Sequence, residues 1–188
     1  LSAFALALAV VGGCRHAPDP GGARSTRPNF LVLVADDLGY LDLGLFGSEI
    51  RTPHLDALAR DGLLLSQFLV APTCSPTRAM LMSGMDAHPA GLGTMAGNAQ
   101  GPQVGAPGYD GVLSERVETI ASLLRRAGYH TSMTGKWHLG REEPLRPNRR
   151  GFERSFGILG GGASHFADAL PLHPPANPAP YYLDGASV

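Results

Sequence analysis

Three short stretches of this 188-residue chain carry side chains that could do chemistry. The first is Cys74-Ser75-Pro76-Thr77-Arg78. With 2 cysteines and 16 prolines in the chain, composition alone gives a Cys-x-Pro-x-Arg about 0.01 times, so the spacing carries information. Pro76 suits the first turn of a helix, and Ala79 to Met82 continue it as good helix formers. Cys74 then stands at a helix N-terminus, where free amides and the macrodipole favour an anion. Arg78, one turn on, faces the same side and can grip a tetrahedral oxyanion with two N–H donors. The alternative is a small buried thiol with no chemistry.

The second stretch is Asp36-Asp37. Two adjacent carboxylates repel unless a positive charge lies between them, and a hard divalent cation suits oxygen ligands. A solvated turn or a helix cap is the competing reading. The third is Gly135-Lys136-Trp137-His138-Leu139-Gly140. Lys136 is the sole lysine among 15 basic residues, a compact charge on a flexible stem that can reach a small anion. His138, two residues on, can carry a proton near neutral pH.

The elements around these stretches alternate strand and helix. Phe30 to Ala35 is a continuous apolar run, the pattern of a strand buried on both faces of a parallel sheet, and Asp36-Asp37 follow its carboxyl end, where ligands bind in open sheets. Thr52-Pro53 opens a helix that Gly62 closes. Leu63 to Val70 reads as a second strand. Val117, Ile120, Ala121 and Leu124 form a helical stripe ending at Gly128, and Tyr129 to Thr134 a third strand. The pattern predicts an α/β fold with a mostly parallel sheet flanked by helices. Gly84 to Gly111 reads as one long loop, of the kind that serves function when it is ordered.

Composition narrows the partners. Net charge is −1, with 44% hydrophobic and 16% charged residues, so the electrostatic footprint of a nucleic-acid binder is missing. No stretch of about 18 apolar residues reads as a membrane span. Residues 1–14 read as a signal peptide: Leu1 to Val11 has the length of a secretory core, and Val11-Gly12-Gly13-Cys14 resembles a bacterial lipoprotein processing site. Cys14 would then be lipidated and anchor the chain in the cell envelope or periplasm. An ordinary signal peptide is the alternative. Residues 15–27 read as a flexible tether spanning roughly 20 Å, and residues 28–188 as the domain it carries. The proline-rich Pro171 to Pro180 is expected to stop without a closing helix or strand.

Taken in order, Asn29 to Gly39 with its Asp36-Asp37, Thr52-Pro53-His54-Leu55-Asp56, Cys74-Ser-Pro-Thr-Arg78 and Gly135-Lys-Trp-His-Leu-Gly140 resemble the N-terminal part of a type I sulfatase, most of all the bacterial arylsulfatases. The resemblance implies an alkaline-phosphatase-like fold, incomplete at the C-terminus, and calcium as cofactor. It also implies a formylglycine made from Cys74 by a formylglycine-generating maturation enzyme. The hydrated aldehyde would attack the sulfur of a small-molecule or glycan sulfate ester. A serine could make the same ester but could not collapse to release sulfate. Asp36, Asp37 and the modified Cys74 match metal ligands, Arg78 the arginine that steadies the modified residue, Lys136 the sulfate-binding lysine, and His138 the histidine that hydrogen-bonds the diol.

The chain departs from the family where Leu-Thr-Gly-Arg commonly follows the cysteine signature: here the stretch reads Leu81-Met82-Ser83-Gly84-Met85. His165 and His173 read as pocket or loop residues, and the Asp-Asn pair, further histidine and further lysine with which the family completes its site cannot be assigned. Residues 28–188 alone are therefore expected to bind calcium weakly and to turn over negligibly. Two other readings stand beside the sulfatase: a phosphonate or phosphate monoester hydrolase of the same superfamily, and a non-catalytic, lipid-anchored binding protein.

Overall fold

The computed structural model describes residues 7–10, 27–164 and 180–188. Cys14, most of the expected tether, His165 and His173 lie outside them. The chain forms two units, Leu1–Val70 and Ala71–Val188, each described here by itself.

In the first unit β2 (Leu31–Val34) pairs antiparallel with β1 (Ala7–Val10), in register from Ala7 opposite Val34 to Val10 opposite Leu31. The expected burial of this strand on both faces is not met: Leu31 is 63% exposed and Val34 38%. A two-stranded ribbon carries no packed layer on either face. The helix α1 (Pro53–Asp61) starts at the proline, as expected, with Gly62 at its C-cap. Thr52 Oγ1 does not cap it; the hydroxyl accepts from Gly44 N at 2.8 Å and donates to Asp56 Oδ1 at 2.7 Å, tying the 3-10 turn at Gly44–Phe46 to the helix. The strand expected over Leu63 to Val70 does not form. Ser66-Gln67 turn the chain at its middle, and Leu63 and Leu69 stand 79% and 73% exposed, with no facing strand among the described residues.

The second unit holds the core: Ala79, Ala90, Leu92, Leu113, Trp137, Leu139 and Leu159. Its helices are α2 (Cys74–Ser83) and α3 (Ile120–Arg126). Gly84 ends α2 at φ 66, donating to Met80 O at 2.8 Å, a left-handed cap that suits glycine. Thr119 Oγ1 caps α3 by accepting from Ser122 N at 3.1 Å. The sheet runs β3 (Ser132–Lys136), β4 (Arg154–Ile158), β5 (Tyr181–Leu183), β6 (Ala186–Ser187). β3 and β4 are parallel; the other two pairings are antiparallel, so this sheet is mixed. β3 starts three residues later than the sequence pattern suggests, at Ser132 and not Tyr129, and ends two later, on Lys136. The chain also closes on a hairpin where a plain stop was expected. Asp184 at φ 50 and Gly185 at φ 92 make its two-residue turn, the backbone that an Asp-Gly pair favours.

Gly84 to Gly111 contains one 3-10 turn, Gly101–Gln103, and folds back through Gly93 N to Gly108 O at 2.7 Å and Gly111 N to Gly91 O at 3.1 Å. It buries Ala90 and Leu92 completely. Opposite strand residues Gly135 and Gly157 approach so closely that a Cβ on Gly157 would overlap the Gly135 backbone.

Arg150 anchors the far side of this unit. It is 8% exposed, and its Nη2 donates to Ser114 O at 2.9 Å and Val117 O at 3.0 Å. Desolvation pushes its pKa below the ordinary guanidinium value, against the attraction of Glu115. Arg150→Met keeps the stem and strands both carbonyls, so it should cost about 2–4 kcal/mol, read from the denaturant midpoint at unchanged slope.

Candidate active site

The second unit brings four of the expected residues onto two adjoining elements. Cys74 is the first residue of α2, after Thr73 in extended conformation, and no side chain caps the helix. Thr77 N donates to Thr73 O at 3.3 Å, so the helix closes its own first turn. Pro76 fits because a proline in the first turn sacrifices no intrahelical bond. Lys136 ends β3, and the backbone then continues the ladder: Trp137 N donates to Ile158 O at 2.9 Å and His138 N to Leu159 O at 3.3 Å.

Two contacts join the elements. Cys74 Sγ lies 3.3 Å from His138 Nδ1. Arg78 Nη1 donates to Lys136 O at 2.7 Å. The arginine therefore does two things: it brings fixed positive charge one turn behind Cys74, and it holds the end of β3 against α2. Cys74 and His138 are both partly buried, which strengthens charge interactions relative to open water. His138 has φ 59, a left-handed conformation uncommon for a side-chain-bearing residue. Its neighbours hold it there: Trp137 and Leu139 are 2% and 0% exposed, and Trp137 Nε1 donates to Leu145 O at 3.0 Å.

Asp36 and Asp37 follow β2 in the first unit, both exposed, with Asp37 at φ 58. Carboxylate oxygens suit calcium in kind. Among the described residues, however, no group of three or more His, Cys, Asp or Glu side chains could hold a metal ion, against the roughly six to eight oxygens calcium takes. The donors fit in chemistry and fall short in number, so no chemical step is built on the ion.

Motif reading missed what the glycine-rich loop brings to the thiol. Cys74 Sγ donates to Met95 Sδ at 4.0 Å, and the fully buried Ser75 accepts from Ala96 N at 2.9 Å through Oγ. The hydroxyl clamps the loop to the first turn of α2, and the thioether walls one side of Cys74. A polar residue directly after the cysteine, at a position the helix buries, is the signal that could have found the clamp. Gly161 was also missed: a Cβ there would lie 2.7 Å from His138 Cε1.

The chain matches the Sulfatase family model over residues 28–183. It is 43% identical to the arylsulfatase of Klebsiella aerogenes over 170 residues, covering 90% of this chain and 35% of that protein. An uncharacterised sulfatase of Schizosaccharomyces pombe is 49% identical over 164 residues, with 81% of this chain and 30% of that protein covered. The solved structure of Ps i-CgsB in complex with k-i-k-neocarrahexaose superposes with a TM-score of 0.65 at 33% identity, over 81% of this chain and 35% of that one. The fold is therefore α/β of the alkaline-phosphatase-like kind. The chain belongs to the sulfatase family, and it spans about a third of the length of the curated relatives it matches.

Removing the clamp tests the local geometry. Ser75→Ala strands the Ala96 amide, so its hydrogen exchange should accelerate about 5–150-fold, for a loss of about 1–3 kcal/mol. An unchanged exchange rate at Ala96 would dissociate the loop from α2.

Proposed function

We propose that the protein containing this chain hydrolyses sulfate monoesters, with Cys74 as the precursor of its nucleophile. The contact between Cys74 and His138 at the start of α2, inside the Cys-x-Pro-x-Arg signature, is the observation that carries this reading. Family membership and the arylsulfatase relative support it.

On this reading Cys74 is oxidised to formylglycine by a maturation enzyme, and the aldehyde hydrate supplies an oxygen nucleophile that can later release sulfate. The chain's own residues do the rest. His138 Nδ1 faces the side chain of residue 74 and is placed to hold or accept a proton from it. Arg78, with one guanidinium nitrogen spent on Lys136 O, keeps its charge near residue 74 and favours an ionised oxygen there. Lys136 brings a second cation to the end of β3, suited to a sulfate oxygen. Fixed charges of this sort stabilise the transition state without reorganisation. Asp36 and Asp37 are assigned as two carboxylates of a calcium site, with the oxidised residue 74 as the further ligand the family resemblance implies. The bound ion would add positive charge toward sulfate.

The substrate class follows the relatives only so far. A small aryl sulfate or a sulfated glycan is proposed, the latter because the neighbour Ps i-CgsB was solved with a carrageenan-type hexaose. An envelope location with Cys14 lipidated is proposed from residues 1–14 alone.

The test uses the full reading frame, co-expressed with a formylglycine-generating enzyme. An aryl sulfate should turn over many times and the matching aryl phosphate far more slowly. Cys74→Ser should release about one equivalent of phenol and stop, with residue 74 heavier by about 80 Da of retained sulfate. Sustained multiple turnover by Cys74→Ser would refute the formylglycine reading. Preference for the phosphate would move the protein to the phosphoester hydrolases.

A further inference from the structure

β4 leads through Leu159 into Gly160-Gly161-Gly162, and two of these glycines meet different neighbours. A Cβ added to Gly161 would lie 2.7 Å from His138 Cε1, 2.9 Å from Nε2 and 3.3 Å from Nδ1. The first two separations are closer than real Cβ atoms come, so something would have to move. A Cβ on Gly160 would lie 2.6 Å from Arg141 Nη2, the end of a long side chain on an exposed residue, which can swing away at little cost.

His138 has no such freedom in its main chain. Its N–H is bonded to Leu159 O at 3.3 Å, its flanking residues are buried, and its φ is already 59. Relief of a Cβ at 161 therefore falls on the imidazole, which must turn about its own side-chain bonds. That turn moves Nδ1 relative to the side chain of residue 74, now 3.3 Å away. The backbone of Gly161 is outside the left-handed region, so alanine there meets no conformational penalty of its own. What glycine supplies at 161 is space alone.

We propose that Gly161 is a positioning residue: the missing side chain at 161 sets the orientation of the His138 ring toward residue 74. The inference rests on the proposed sulfatase reading for its kinetic consequence and on geometry alone for its structural one.

A double-mutant cycle on the full-length matured protein separates this role from plain packing. Gly161→Ala should lower kcat toward an aryl sulfate by about 10–100-fold, with KM within about twofold. It should also lower the melting temperature. In a His138→Ala background, where the ring is gone and its space is open, adding Gly161→Ala should cost nothing further in kcat or in melting temperature. Gly160→Ala should behave as the parent protein. Equal losses from Gly161→Ala with and without the ring would overturn the proposal, as would no loss in either background. Should the parent show no sulfatase activity at all, the proposed function fails by itself. The melting-temperature cycle still decides the positioning role: loss confined to the background that has the ring supports it, and equal loss refutes it.

Discussion

His138 stands against Cys74 because the β3–β4 ladder does not stop where the strands end. Trp137 N to Ile158 O and His138 N to Leu159 O extend it by two residues, and the Gly135–Gly157 pair lets the parallel backbones come close enough for that register. Trp137, buried and bonded to Leu145 O, then fixes which way the chain leaves the sheet. Both contacts between α2 and the end of β3 depend on this extension. It sets the carbonyl of Lys136 where Arg78 can reach it, and the imidazole where the thiol meets it.

Such a site is made of backbone constraint more than of side-chain contacts. Of the described non-glycine residues, Asp37, His138 and Asp184 have positive φ, and the first two are candidate site residues. Asp and His are among the residue types that tolerate this region best, yet each such residue still costs free energy that surrounding packing must offset. For His138 the packing is visible: the core cluster includes both of its neighbours in sequence. The cations are arranged by the same economy of parts. Arg78 serves as a tie and as a charge, and Lys136 offers its carbonyl to the tie.

Much of this was legible in the sequence, for physical reasons that differ by element. The start of α2 could be read because a proline two residues after the cysteine allows a helix in one direction only, and α1 because Pro53 and Gly62 bracket it. That His138 meets the side chain of residue 74 was implied by the family resemblance, not by spacing. What could not be read depends on tertiary context. Leu63 to Val70 has strand-like composition but pairs with no strand among the described residues, and it is irregular. Leu31 to Val34 has the composition of an interior strand but sits in an exposed ribbon. The closing hairpin was overlooked although Asp184-Gly185 announces it. Met95 and Gly161 reach the site through a loop and a bend, and Ser75 through its burial in the first turn of α2, which no periodicity marks.

The central claim is chemical: the sulfur at residue 74 is a precursor and not the working atom. Its most direct test is the mass of the tryptic peptide spanning residue 74, taken from active, full-length protein. Replacement of thiol by aldehyde lowers that mass by about 18 Da, and the fraction converted should track specific activity across preparations matured to different extents. Full activity in a preparation whose peptide retains its sulfur throughout would contradict the account.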